Sequence, residues 1–224
     1  MNHTTAETFL ILIQNPDKPG FMVSEHIRSI GLIGSILLDL SLEEKIDLES
    51  GRLKAKSTQS SLSLQHNQIL EEVAKSSKEK KIKNWISRFS RHAKKFQKEI
   101  LLQLEKESII KIDHKRFLFF RYYRTRLLDK SLRIRLIDDI REKVLHSKPF
   151  KKEESAILGL IEACNMHKVI CRNKEEKKLC KSKLKDLVKS DRLFRELDAV
   201  IRETQAAIHA AIIASSVATT AATT

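Results

Sequence analysis

Two stretches of this chain switch from helical to strand periodicity, and that switch limits the folds open to it. Residues 30–42 place Ile30, Ile33, Leu37 and Leu40 at helical spacing, with Ile36 and Leu38 widening the stripe. Ile46-Asp47-Leu48-Glu49 then alternates like a strand, Ser50-Gly51 is a turn signal, and residues 52–56 alternate again. Residues 100–120 repeat the order. A helical Ile-Leu-Leu-Gln-Leu leads into Ile109-Ile110-Lys111-Ile112, a turn-like Asp113-His114-Lys115, and Arg116-Phe117-Leu118-Phe119-Phe120. Each helix-then-hairpin unit is too small to bury a core alone, so the two are expected to pack together.

The rest of the chain reads as helix. Leu, Ile, Lys, Glu and Ala dominate, and 5 Gly and 3 Pro leave little room for irregular structure. The expectation is a mainly α fold over residues 1–218. It is a single globular helical domain with two small β-hairpins, each following a core helix, and residues 219–224 form a frayed tail.

The net charge of +14 is concentrated. Residues 75–98 carry a net +9 and residues 115–135 a net +7, which leaves the remainder slightly acidic. Such blocks suit an anionic partner, either phosphate-bearing lipid or nucleic acid, although a solvated helix face also carries charge of this kind. Three cysteines without paired spacing point to a reducing compartment. No apolar run is long enough to span a bilayer, and the N-terminus has no basic leader, so the expected location is cytoplasmic, peripheral on a membrane surface.

In chain order, residues 5–14 predict a first helix capped by Thr4 or Thr5, then a turn over residues 15–20. A second helix is expected from near Ser24. Residues 56–65 read as a loop or strand edge, with Leu62 and Leu64 able to pair with the first hairpin. A short helix follows from Ile69. Over residues 80–106, apolar steps of three and four from Ile82 to Leu104 predict one long amphipathic helix with a basic outer face. Residues 132–145, 154–171 and 175–188 predict further helices. Residues 193–217 predict a last helix, whose nearly uniform apolar run at residues 206–214 is expected to be buried in the core.

These residues resemble the Golgi phosphoprotein 3 family (the GPP34 domain), of which the chain is identified as a diverged, bacterial-type member. Gly31-Leu32-Ile33-Gly34-Ser35-Ile36-Leu37-Leu38-Asp39-Leu40 is similar to its core helix, Gly-Leu-Arg-Gly-x-Ile-Leu-x-Glu-Leu. Lys45-Ile46-Asp47-Leu48-Glu49 is similar to its Arg-Ile-x-Leu-Glu strand, and Trp85-Ile86 to its Trp-Ile pair. Leu104-Glu105-Lys106-Glu107-Ser108-Ile109-Ile110 resembles Leu-Val-Glu-Lys-Gly-Ile-Leu. The resemblance covers nearly the whole chain and implies a largely helical peripheral membrane protein that recognises phosphatidylinositol 4-phosphate. It also implies contact with the cytosolic tails of cargo proteins and self-association through the second hairpin.

The family's headgroup ligands fall on other residue types here. The arginine of Gly-Leu-Arg-Gly is Ile33, the preceding tryptophan lies near Ser24, and an Arg-x-x-Arg pair falls at Lys94 and Gln97. Basic residues remain close by, so the expected headgroup site is Arg28, Arg88, Arg91, Lys94, Lys95 and Lys98, a less selective anionic surface. The second hairpin holds five of the chain's twelve aromatics. Its Phe120, Arg121, Tyr122, Tyr123 and Arg124 suit membrane contact or self-association, while its alternate rings also suit inward packing.

Other chemistries have thin support. Cys164, His167, Cys171 and Cys180 lack the spacing of a metal site. No dinucleotide fingerprint, phosphate loop or nucleophile elbow occurs, so no cofactor and no enzymatic activity are expected. Helix-then-hairpin is also the build of winged-helix domains, which keeps nucleic-acid binding as an alternative. A scaffold for protein tails is a third.

Overall fold

Residues 3–49, 52–78, 80–117, 120–146, 150–171, 173–189 and 199–221 are described by the structure, a computed structural model. The Thr4 hydroxyl accepts the Glu7 N–H at 3.1 Å, and the Glu7 carboxylate accepts the Thr4 N–H at 2.9 Å. This reciprocal cap starts α1, Thr5–Ile13. The turn after it is held by the Asn15 side chain, which accepts the N–H groups of Asp17 and Lys18 at 3.0 Å. Ser24 caps α2, Glu25–Leu42, whose residues 30–41 are all buried. This helix is the centre of the molecule, as its apolar pattern predicts.

The first hairpin is β1, Ile46–Glu49, against β2, Arg52–Ala55, with Ile46 opposite Ala55. Helices α3 (Leu64–Ala74), α4 (Ile82–Ser90) and α5 (Ala93–Lys106) follow. The second hairpin pairs β3, Ile110–Phe117, with β4, Phe120–Leu127. The chain closes with α6 (Lys130–His146), α7 (Lys152–Ala163), α8 (His167–Ile170), α9 (Lys174–Lys189) and α10 (Ala199–Ala221). The fold is mainly α with two small antiparallel hairpins, each following a core helix. Among the described residues, no helix is long and apolar enough to cross a membrane.

Several elements differ from the sequence reading. The helix expected over residues 80–106 is two, α4 and α5, broken at Arg91 and His92. His92 leaves the helical region (φ −104°, ψ 1°), and its N–H bonds the Phe89 carbonyl at 2.8 Å. Trp85, Ile86 and Phe89 before the break and Ala93, Phe96 and Ile100 after it are all buried. The apolar steps run through the break without interruption, so spacing alone did not reveal it.

The turn expected at Asp113-His114-Lys115 lies inside β3 instead. Asp113 sits opposite Arg124 and pairs with Arg126 at 3.1 Å. The strand continues to Phe117, opposite Phe120, and each strand of the hairpin is 8 residues long. Leu62 and Leu64 do not extend the first hairpin. Leu64 is the first residue of α3 and is 62% exposed, and the free edge of β2 bridges to Lys80 through the Leu53 N–H at 3.0 Å. The helix expected over residues 154–171 breaks at Asn165, whose φ is +51°.

The end of α10 is not buried all round. Thr204, Gln205, Ala207 and Ile208 face inward, whereas His209, Ala210 and Ala214 are exposed and Ile213 is 48% exposed. The inward stripe approaches two glycines closely. A Cβ on Gly34 would lie 2.2 Å from the Ile208 Cδ1, and one on Gly159 would lie 1.8 Å from the Gln205 Nε2. Hydrogen at those positions lets α10 seat on α2 and α7.

One buried polar network joins three helices. The Asp39 carboxylate, 4% exposed on α2, accepts the N–H groups of Thr5 at 2.6 Å and Ala6 at 3.1 Å, and lies 3.1 Å from the His66 Nε2. A carboxylate only accepts, so Nε2 carries the proton and Nδ1 accepts from the Ser63 hydroxyl at 2.6 Å.

Candidate anion-binding surface

The first turns of α2 and α5 lie side by side and are joined by two rungs. In one, the Lys94 ammonium pairs with the Glu25 carboxylate at 2.8 Å. In the other, the Arg28 Nε donates to the Gln97 Oε1 at 2.6 Å. Glu25 and Arg28 are one turn apart on α2, and Lys94 and Gln97 are one turn apart on α5, so the helices run in the same direction here. Both helices therefore begin, with the partial positive charge of their N-termini, at the same end of this surface.

Arg28 is the most constrained of the expected ligands. Its guanidinium lies 4.3 Å from the centre of the Phe21 ring, which supports one face. Burial pulls its pKa below the ordinary value, with Glu25 and Tyr123 opposing the shift. Gln97 is 6% exposed and its Nε2 donates to the Tyr123 hydroxyl at 3.3 Å. Arg28, Gln97 and Tyr123 thus form one chain of contacts from α2 through α5 to β4. The two basic blocks of the sequence meet at the Gln97–Tyr123 bond.

The other expected residues divide. Arg91, Lys95 and Lys98 are exposed, recur at three- and four-residue steps, and have no ion pair among the described residues. Lys94 is exposed but engaged by Glu25, and its hydrogen bond holds the Glu25 carboxyl below the usual range. Arg88 lies on α4, whereas Lys94, Lys95 and Lys98 lie on α5 and Arg91 at the break between the two. Its Nε and Nη2 both donate to the Glu72 Oε2, at 3.0 and 2.8 Å, which ties it to α3. In the hairpin, Tyr122 is 43% exposed with the Arg124 guanidinium 5.8 Å from its ring centre, and Tyr123 on the opposite face packs on the core. The side chains of Phe120 and Arg121 lie outside the described residues.

Arg133, counted in the second basic block, is not on this surface. It is 6% exposed, donates from Nε to the Leu12 carbonyl at 3.1 Å, and thereby satisfies the end of α1. Ile33 is fully buried, so the place of the family's arginine in the core helix offers nothing to a ligand. Ser24, at the place of its tryptophan, is the cap of α2.

Phe21, Glu25 and Gln97 were missed as parts of this surface. The one available signal was Gln97, a polar residue inside the apolar stripe between Phe96 and Ile100. Elsewhere, His167 is buried between Glu162 and Asn165, and burial pushes the Cys164 thiol up to about 12. Among the described residues, no three His, Cys, Asp or Glu side chains gather to hold a metal ion.

No curated protein matches the chain. The family model of Golgi phosphoprotein 3 (GPP34) matches residues 6–211, from α1 into α10, and includes both hairpins and every residue of the surface described above. The chain therefore belongs to the Golgi phosphoprotein 3 (GPP34) family.

Proposed function

We propose that this chain is a non-enzymatic peripheral membrane protein that docks on anionic phospholipid, phosphatidylinositol 4-phosphate among the candidates. The observation that carries this reading is the juxtaposition of two helix N-termini with Arg28, held by Phe21 and Gln97, beside the exposed Arg91, Lys95 and Lys98. Arg28 supplies a positioned guanidinium, the group suited to a phosphate monoester. The lysines supply diffuse charge, each contributing about 1 kcal/mol near an anionic surface. Tyr122 and Arg124 extend the surface along the hairpin with an amphipathic ring and a further cation. The same hairpin is the proposed contact for a second copy, and a protein cargo is a further partner this reading admits.

The test is vesicle co-sedimentation at near-physiological salt with neutral, phosphatidylserine-containing and phosphatidylinositol 4-phosphate-containing vesicles. Binding to both anionic vesicles is expected, with partition falling about fivefold for each of Arg91, Lys95 and Lys98 replaced by Gln. Arg28→Gln is expected to remove any preference for the phosphoinositide. Absence of binding to every vesicle overturns the proposal. Salt-sensitive binding to duplex DNA in its place would move the function to nucleic acid.

A further inference from the structure

A second concave surface, at the N-terminus of α1, has the opposite charge. One hollow, of about 350 Å³, is walled by Asp39, Glu43 and Glu153 together with Thr8 and Leu62. A second, of about 390 Å³, has Glu7 and Glu99 in its wall. Thr4 and Leu62 line both, so the two hollows adjoin across the Leu62 side chain. Five carboxylates line the two adjoining hollows; His3, 3.8 Å from Glu7, and His66 are their basic neighbours, and no lysine or arginine is among the described lining residues. In a chain of net charge +14, this is a marked segregation. A cleft lined by one sign of charge concentrates ions of the other.

Some of these carboxylates are already occupied. Asp39 accepts from Thr5, Ala6 and His66, and Glu43 accepts from the hydroxyls of Ser60 and Ser61 at 2.5 Å each. Other acceptors are not. The Glu99 Oε2 is buried without a hydrogen-bond partner, and so is the hydroxyl of Thr8, which is fully buried. Glu153, exposed in the first turn of α7, has no ion pair among the described residues. A buried polar atom without a partner carries a desolvation cost that a bound donor relieves. Each hollow therefore holds one unpartnered buried acceptor, the Thr8 hydroxyl in the first and the Glu99 Oε2 in the second, with Leu62 in both walls and Ile157 in the first.

We propose that this cleft binds linear alkylammonium groups, which combine several N–H donors and a positive charge with an apolar stem. Free polyamines and the lysine side chains of a protein are the two sources of that chemistry. The cations would neutralise Glu99 and Glu153 while the methylene stem lies against Leu62.

Isothermal titration of the full chain with spermidine, cadaverine, pentanediol and a lysine amide tests this. Saturable binding of spermidine, weaker binding of cadaverine and none of pentanediol are expected. The Glu99→Gln/Glu153→Gln variant should bind spermidine about fivefold more weakly or worse, with its vesicle partition unchanged. Should that variant unfold, Glu153→Gln alone, at an exposed position, still reads the effect. Binding of the lysine amide without spermidine would support the site and assign it to a protein lysine. No saturable binding of any amine, equal binding by the variants, or equal binding of pentanediol would overturn the proposal.

Discussion

Gln97 is the residue on which the candidate surface turns, because it is neutral, buried and bonded on both sides. Its Oε1 takes the Arg28 Nε and its Nε2 reaches the Tyr123 hydroxyl. Gln97→Leu keeps the volume and removes both bonds. It is expected to lower stability by about 1–2 kcal/mol, since a guanidinium hydrogen bond is worth more than a neutral one; the midpoint of urea unfolding measures this. The same variant should weaken phosphoinositide preference less than Arg28→Gln does, because the guanidinium remains over Phe21. Asp39 plays the comparable part in the core. Asp39→Ala strands two buried N–H groups at the start of α1 and leaves His66 without its acceptor. A loss of about 3 kcal/mol is expected from thermal unfolding, with Asp39→Asn intermediate because one oxygen still accepts.

At the scale of elements, the most informative packing is that of α10 on α2 and α7, where Gly159 meets Gln205 and Gly34 meets Ile208. Gly159→Ala places a methyl group where the Gln205 amide lies. It should cost about 1–3 kcal/mol by overpacking, against the gain that alanine ordinarily brings to a helix, and urea unfolding gives the sign. Elements with an unambiguous local signal were legible in the sequence. The starts of α1 and α2, the apolar run of α2 and the first hairpin stand where the residues predict them, and of the two candidate caps Thr4 and Thr5 it is Thr4 that serves. The breaks were not legible, because a helix break at Arg91 and His92 leaves the apolar steps intact, and the kink at Asn165 carries no glycine or proline. The second hairpin misled for a related reason. Asp113-His114-Lys115 looks like a turn by composition, yet it lies within a two-stranded ribbon, with His114 and Lys115 exposed and Asp113 paired across the strands with Arg126. The outward face of α10 misled through its alanines, which are apolar yet small enough to leave exposed. Of the candidate surface, the cations were legible as a charge run. Their grouping was not, since Arg28 and Gln97 are sixty-nine residues apart and Arg88 turns towards Glu72 on α3.

For the molecule as a whole, the acidic groups set how the fold responds to pH. Among the described residues, five carboxyl groups have folded-state values below their ordinary ones. For Glu25 and Asp47 the leading cause is the hydrogen bond from a lysine, Lys94 and Lys56 respectively. For Glu162 it is the hydrogen bond to His167, which outweighs burial. Glu43 and Glu154 are first opposed by burial, but hydrogen bonds from Ser60 and Ser61 in one case and from Lys143 and the Lys151 N–H in the other carry them lower. A depressed carboxyl group stabilises the fold fully above its unfolded value, and that contribution disappears as pH falls through the folded value. The melting temperature should therefore be nearly flat from about pH 7 to pH 5 and decline once the pH passes below about 4.5, where the unfolded chain takes up protons first. Lys143, raised by Glu154 and Asp139 against the effect of burial, contributes in the opposite direction: its stabilisation is complete below its ordinary value and is lost only in strong alkali. Glu154→Gln should flatten the acid limb, because it removes a group that is buried and paired with Lys143, whereas Glu25→Gln, at an exposed site, should change it little. A melting temperature that rises below pH 4.5, or an acid limb identical in Glu154→Gln, would contradict this assignment of the acid response to the buried carboxylate pairs.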